Sequence, residues 1–304
     1  MISVCLATHN GEKYLGAQIA SILPQLTAAD ELVIADDAST DGTLALINSL
    51  DDPRIRLFSG NDFHSAKLNF AFALYQARGD VIVLADQDDV WLPGRIDAGI
   101  RRLQELERKF GAVTPLLIHS DLRVVDEQLR PVADSLWQYQ NSDPVAGVAL
   151  NRLLVQNPVT GCSVMLNAAL RDLALPIPEE AVMHDWWLAL VAAAFGAVGV
   201  IAEPTVLYRQ HRANDTGARQ WGAGHIAGRL LDLGGQRLEM ARLYCQGDAF
   251  LKRYRDRLAP WQIELLEAFA TLDRAGAVGR RLRLIKYRFF YTGLLRNIGR
   301  LILG

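Results

Sequence analysis

Cysteine is scarce in this chain. Only three occur in 304 residues, Cys5, Cys162 and Cys245, with no CxxC pair and no Cys/His ligand spacing. An odd number cannot close into a complete disulfide framework, so neither a disulfide-stapled scaffold nor a structural zinc site organises the fold, and a reducing cytosol is the expected compartment. Long apolar runs are missing too. The stretch 188–202, LALVAAAFGAVGVIA, is about fifteen residues long and broken by glycines, short of the roughly 18 to 20 residues needed to cross a bilayer. The opening MISVCLATHN runs straight into a strand-like segment without the charged, apolar and small-residue zones of a signal peptide, so secretion is not expected. An excess of one charge is also lacking: 32 Lys and Arg face 34 Asp and Glu, a formal net charge of −2. Nucleic acid is therefore not an expected partner. No internal repeat and no low-complexity tract is found.

Half of the residues are hydrophobic, enough for one well-buried α/β domain plus a smaller appendage. Short apolar runs bounded by turn residues predict strands at Ile2 to Ala7, Glu31 to Ala35, Ile55 to Phe58 and Val81 to Ala85. Helical periodicity fills the gaps at Glu12 to Leu26, Gly42 to Leu50 and Ala66 to Ala77. This alternation predicts βαβ crossovers and a mainly parallel sheet, in which ligands bind beyond the carboxyl ends of the strands. THN at 8–10, DDASTDGT at 36–43 and DQDD at 86–89 occupy those ends.

After a helix from about Pro93 to Lys109, PLLIHSDL and a partner strand around Arg123 to Asp126 predict a change to mixed pairing. A strand-like GCSVMLN, an amphipathic helix from His184 to Phe195 and two short strands ending in VLYRQH follow. From Trp221 onward the chain reads as Leu-, Arg- and Ala-rich helices broken at Gly234-Gly235 and at Pro260. The expected domains are residues 1–215 and a helical region 216–304.

Asp86, Asp88 and Asp89 crowd three carboxylates into four positions. Two such charges 4 Å apart repel by about 1 kcal/mol in water and roughly 4 kcal/mol at an effective dielectric near 20. A hard divalent cation, Mg²⁺ or Mn²⁺, relieves that repulsion; a solvated turn capping the next helix is the alternative. Thr8, Asn10 and Asp37 on neighbouring strand ends make a nucleotide cleft the economical reading.

ATHNGEKYL, DDASTDGT, LNFAFALYQARGDVIVLADQDDVW, HDWW and YRQH together resemble the family 2 glycosyltransferases of GT-A fold, in the family's order over about residues 1–212. DQDDVW with HDWWL and YRQH resembles the rhamnosyltransferase-like branch that builds bacterial surface polysaccharides. The resemblance implies that Thr8, Asn10 and Glu12 form the first nucleotide-binding segment and that Asp37 contacts the base. It places Asp86 and Asp88 in a DxD signature serving ribose, diphosphate and metal, with Asp89 close by. Lys67 and Asn69 fall where a basic or amide residue often precedes the DxD helix; a surface lysine is the alternative.

The resemblance also makes Asp185 the catalytic base, with His184 standing where many members have Glu. An inverting transfer needs such a carboxylate to deprotonate the acceptor hydroxyl, although Asp185 could equally cap helix 186–195. Of Trp186 and Trp187, adjacent and so on different helix sides, one is expected in the core and the other against a sugar ring. His211 resembles a late metal ligand, Arg209 is a candidate diphosphate or acceptor contact, and Gly161 a point of close backbone approach to the donor sugar or a plain turn glycine.

Residues 280–304 carry seven Arg or Lys and no acidic residue, interleaved with apolar positions. Two readings stand for this tail: an interfacial helix on an anionic membrane, useful for a lipid-linked acceptor, or a helix packed on the domain with a solvated basic face. The expectation is an inverting, metal-dependent transfer from a UDP- or dTDP-sugar, dTDP-rhamnose among them, to a glycan or lipid-linked acceptor, at the inner face of the cytoplasmic membrane. Three other activities fit parts of the pattern. A haloacid-dehalogenase-type phosphatase also fits VLADQDDV but lacks a late acidic pair, since Gly247-Asp248 is followed by Lys252. A non-catalytic sugar-nucleotide-binding protein would not need Asp185. A nucleotidyltransferase would need a Gly-rich basic loop after the first strand.

Overall fold

The computed structural model describes residues 1–211, 233–292 and 297. The N-terminal half alternates as the periodicity predicts: β1 (Ile2–Thr8), α1 (Glu12–Ile22), β2 (Glu31–Asp37), α2 (Thr43–Ser49), β3 (Ile55–Asn61), α3 (Ala66–Gln76) and β4 (Val81–Asp86), followed by a short β5 (Val90–Trp91) that the sequence did not announce and by α4 (Arg95–Phe110). Every residue of β2 is buried, the continuous apolar signature of a strand covered on both faces.

Beyond α4 come β6 (Leu116–Val125), β7 (Pro131–Ala133), α5 (Leu136–Tyr139), α6 (Leu150–Leu153), β8 (Met165–Asn167), α7 (Ala168–Ala174), α8 (His184–Phe195) and β9 (Ala197–Arg209). They join one sheet of order β3-β2-β1-β4-β8-β6-β9-β5, with β7 on β6. Pairing among β1 to β4 is parallel, β8 is antiparallel to both β4 and β6, and β9 runs parallel to β6. The expected change to mixed pairing is thus made by β8.

Two boundaries differ from expectation. Residues 123–125 continue β6 rather than pairing with it, because the turn at 126–130 comes later and β7 is the partner. The two short strands expected before YRQH are a single 13-residue β9, whose irregularity is absorbed as register shifts against β6 near Ser120 and Asp121.

Hydrophobic cores lie on both sides of the sheet. One holds Leu15 and Ile19 of α1 with Ile96, Leu103 and Leu106 of α4. The other centres on α8, which is buried nearly all round rather than amphipathic. The C-terminal helices α9 (Leu233–Tyr254), α10 (Pro260–Ala270) and α11 (Ala277–Tyr287) add to this core, α9 reaching α8 through Phe250 and Tyr254 and α10 through the Gln262 amide on the Ala194 carbonyl. Phe250 of α9 meets Trp187 edge-on at 5.3 Å, and Phe269 and Phe289 complete the cluster. Gly234 and Gly235 lie in the first turn of α9 as described, and what precedes Leu233 lies outside the described residues; Pro260 does begin a new helix, where its missing N–H costs nothing. The domain boundary expected at 215/216 lies outside the described residues.

Candidate active site

Parallel pairing sets the carboxyl ends of β1, β2 and β4 side by side, with Thr8 opposite Asp36 and Ala7 opposite Asp86. Because β9 is parallel to β6 and its end lies opposite Val125, Arg209 arrives at the same edge. There its backbone N–H donates to Asp89 Oδ1 at 2.9 Å and its Nε to the Asp88 carbonyl at 2.6 Å. Two residues on, His211 Nε2 lies 2.8 Å from Asp88 Oδ2. The structure therefore brings Asp86, Asp88, Asp89, Arg209 and His211 together from positions more than a hundred residues apart in the chain.

Asp89 is fully buried, its Oδ2 lacks a hydrogen-bond partner, and burial followed by the charges of Asp88 and Asp86 pushes its carboxyl well above the usual range. Sequence reasoning assigned all compensation to a cation and missed Arg95. Its buried guanidinium donates to the Cys162 carbonyl at 2.6 Å and to Thr205 Oγ1 at 2.7 Å, and lies over the Trp91 ring. Burial pulls its pKa down to about 10, opposed by Cys162, Asp89 and Asp86, so it stays cationic at neutral pH. Tyr14 was missed as well: its ring stacks on His211 at 4.7 Å, lies under the Arg209 guanidinium, and its hydroxyl donates to Glu127. An aromatic one turn into a helix reads as ordinary core in a sequence.

The donor set fits a divalent cation. Two sets of donors are available among the described residues: Asp86, Asp89 and Cys162, whose ligand atoms lie within 4.8 Å of one another, and the pair of Asp88 Oδ2 and His211 Nε2 at 2.8 Å, and an imidazole among the donors suits Mn²⁺ better than Mg²⁺.

Other expected site residues are engaged inside the fold. Thr8 donates to Asp36 Oδ2 at 2.8 Å. Both Asp37 oxygens accept backbone N–H groups, from Phe63 and Ser65, so Asp37 anchors the loop after β3. Asn69 is buried and gives its amide hydrogens to the Thr8 and Ala35 carbonyls, tying β1 to β2 beneath the cleft. Lys67 donates to the carbonyls of Glu179 and Ala181 and so pins the segment before α8. Asn10 and Glu12 are exposed at the rim: Asn10 accepts from Thr40 N–H at 2.8 Å and Glu12 from Gly42 N–H at 2.9 Å.

At the second cluster, Met183 and not Asp185 occupies the N-cap position of α8. Asp185 is the second residue of the helix, in its first turn, its Oδ1 accepting from Trp186 N–H. Burial drives its pKa from 3.8 up to about 7, against the opposing pull of N–H donors at Trp186 and Gly161 and the Asn157 amide. His184 is buried and stacks on Phe70 at 4.1 Å; both ring nitrogens lack partners, and burial holds its pKa near 3, so the ring is neutral. Trp187 is the core tryptophan, its indole N–H on the Ala174 carbonyl. Trp186 is half-buried and bonded to the Leu153 carbonyl.

Gly161 packs against this cluster. A Cβ there would come within 3.0 Å of His184 Nε2 and 3.7 Å of Asp185 Oδ2. Gly161→Ala is expected to lower turnover about tenfold by pushing on the His184 ring and, through it, shifting the helix start that carries Asp185, a loss of about 1.4 kcal/mol in barrier terms. Steady-state kinetics with unchanged nucleotide affinity would bear this out, and a turnover equal to wild type would mean the neighbours give way.

The glycosyl transferase family 2 profile matches residues 3–168. The chain is 28% identical over 225 residues to a dTDP-rhamnosyl transferase of Shigella flexneri, covering 70% of this chain and 74% of that one. An uncharacterized glycosyltransferase of Nostoc is 25% identical over 70% of this chain, and the chain spans 66% of that relative's length. In three dimensions it resembles S. aureus TarS in complex with UDP-GlcNAc, with a TM-score of 0.57, 16% identity and coverage of 99% and 89% of the two chains. It also resembles a mannosyltransferase of Pyrobaculum calidifontis in complex with GDP-Man and Mn²⁺, with a TM-score of 0.53, 17% identity and coverage of 100% and 79%. These likenesses show a GT-A fold, and the family profile spans more than half of the sequence. The chain belongs to glycosyl transferase family 2 and is a glycosyltransferase.

Proposed function

We propose that this glycosyltransferase is inverting and metal-dependent, taking a UDP- or dTDP-sugar as donor and a surface glycan or its lipid-linked precursor as acceptor. The observation that carries the metal-dependent reading is the Asp88–His211 pair at 2.8 Å, where two separated motifs converge beside a buried acidic cluster. Asp88, His211 and Asp86 would hold the cation, whose charge offsets that developing on the departing diphosphate. Asn10 and the β2 loop at Ser39 and Thr40 face the nucleotide side, with Thr8 and Asp37 fixing the strand ends that present them. Asp185 takes the proton of the acceptor hydroxyl as that oxygen attacks the anomeric carbon opposite the leaving group. Its pKa near 7 suits a base working at neutral pH.

The name of the Shigella relative puts dTDP-rhamnose first among donors to try. A donor panel scored for nucleoside diphosphate release, with and without Mn²⁺ or Mg²⁺, tests the reading. Release from one UDP- or dTDP-sugar that stops on chelation is expected; equal release without metal would refute the metal's part. The phosphatase, nucleotidyltransferase and non-catalytic alternatives fall with the family assignment.

Membrane proximity belongs to the same proposal. No helix among the described residues is long and apolar enough to cross a membrane. The continuous helix expected over 280–304 is not seen among the described residues: α11 ends at Tyr287, and Arg288 takes a left-handed backbone with φ 53°. One face of α11 packs through Leu284, while Val278, Leu282 and Ile285 are 72%, 63% and 57% exposed. These three follow i, i+4, i+7 spacing, with Arg281 exposed among them. One face of α11 is thus packed on the domain, and its exposed apolar face with the basic residues beside it supports the reading of a cytoplasmic-side anionic lipid surface. Cosedimentation with phosphatidylglycerol vesicles, absent with phosphatidylcholine and lost in Leu282→Asp/Ile285→Asp, is the expected result; binding unaffected by these changes would remove α11 from the account.

A further inference from the structure

A cavity of about 430 Å³ opens between β6, β9 and the segment following α5, away from the carboxylate cluster. Its wall includes Asp121, Trp137, Gln138, Asn141, Ser142 and Val200. Asp121 lies four residues back along β6 from Val125, the residue paired with Arg209. At about 3.3 Å per residue this sets it roughly 13 Å from that edge. The size is within the range of small-molecule sites, roughly 300 to 1,000 Å³.

Its polar groups are unspent. Asp121 is 4% exposed, and its Oδ1 accepts from Leu122 N–H and Trp137 N–H. Among the described residues Oδ2 accepts nothing, and it is not sealed off from solvent. Trp137 is 7% exposed, and its indole N–H likewise bonds to no described residue. Ser142 Oγ is buried without a partner. The side-chain amides of Gln138 and Asn141 make no hydrogen bond among the described residues. Ser142 Oγ is the one of these that is buried outright, and leaving it unpaired costs about 1 to 3 kcal/mol; Asp121 Oδ2, the Trp137 indole N–H and the two amides reach the solvent in the cavity, where a ligand can take them up.

The chemistry of the lining selects the class. No Lys, Arg or His lines the cavity, which disfavours phosphate and carboxylate ligands. One carboxylate oxygen, an indole donor, two amides and a hydroxyl offer donors and acceptors in a mixture that suits a neutral, polyhydroxylated molecule, and the tryptophan adds an apolar wall. We infer that this cavity holds a neutral pyranose unit of the acceptor glycan, remote from the unit being glycosylated. The word acceptor rests on the transferase reading above; the ligand class does not.

Saturation-transfer NMR with methyl glycosides of glucose, galactose, N-acetylglucosamine and rhamnose tests this, with nucleoside diphosphate and Mn²⁺ present to fill the donor cleft. The expected result is a saturable signal from at least one glycoside, weakened at least tenfold in Gln138→Ala/Asn141→Ala, whose amides hold no part of the fold, and also in Asp121→Asn. No saturable signal, or one indifferent to both variants, overturns the inference. Calorimetry of UDP, dTDP and GDP with Mn²⁺ separates the two readings. Nucleotide binding intact beside indifferent glycoside signals would sink the cavity alone. Absent nucleotide binding beside variant-sensitive signals would remove the transferase mechanism and leave the cavity's ligand class standing.

Discussion

Replacing Asp185 with Asn is expected to lower turnover about 10²- to 10⁴-fold, the usual contribution of a positioned general base, with nucleoside diphosphate affinity unchanged. The isostere keeps an acceptor for Trp186 N–H and removes only the proton-accepting charge. The wild-type pH profile carries the same information: with the carboxyl raised to about 7 by burial, kcat/KM should climb about tenfold per pH unit below that value and level off above it. In Asp185→Asn the residual rate should lose that limb. A profile of unchanged shape would assign the base to another group.

The substitution should also stabilise the fold. A carboxyl with a folded pKa above its unfolded one holds its proton more tightly when folded. Its stabilising contribution is complete below about pH 4 and is lost as pH rises through about 7. A shift from 3.8 to about 7 corresponds to an upper limit of about 4 kcal/mol at alkaline pH. Thermal unfolding at pH 8 should therefore occur at higher temperature in Asp185→Asn than in wild type, with the gap narrowing toward pH 5. Such a stability gain paired with loss of activity is the signature of a charge buried for chemistry; a destabilised variant at pH 8 would deny it.

Asp88→Ala is expected to weaken Mn²⁺-dependent nucleoside diphosphate binding by more than about 100-fold, beyond the 10- to 100-fold typical when only a supporting partner of a ligand is removed. His211→Ala should have a smaller effect in the same direction, because one imidazole is lost while the carboxylates remain. Calorimetric titrations of UDP or dTDP at several Mn²⁺ concentrations would measure both. Binding that is metal-independent in wild type and unmoved in Asp88→Ala would reduce the Asp88–His211 contact to an ordinary ion pair.

Arg95 shows why part of this site was illegible in the sequence. PGRIDAG reads as a helix start with a solvated arginine, yet the guanidinium is buried under the acidic turn and bonded to Cys162, 67 residues away. Lys67 and Asn69 show the converse. Their motif positions suggested donor contacts, whereas their bonds run to backbone carbonyls of neighbouring segments. Motif position reports where the main chain goes, and the side-chain partner depends on which segment arrives opposite.

The order of strands and helices through β4 and the placing of THN, DDASTDGT and DQDD at strand ends were determined by the sequence itself. Alternation of apolar runs and turn residues is a local property, set by backbone sterics and hydrophobic periodicity. Only the tertiary structure decided which tryptophan enters the core, that Met183 rather than Asp185 caps α8, and that Tyr14 is clasped between Arg209 and His211. It alone set Asp121, with one oxygen unused among the described residues, and the buried Ser142 hydroxyl around a cavity. These are non-local facts: whether a polar atom is satisfied, or a carboxyl desolvated, depends on chain segments tens to hundreds of residues away, and no window of sequence contains them.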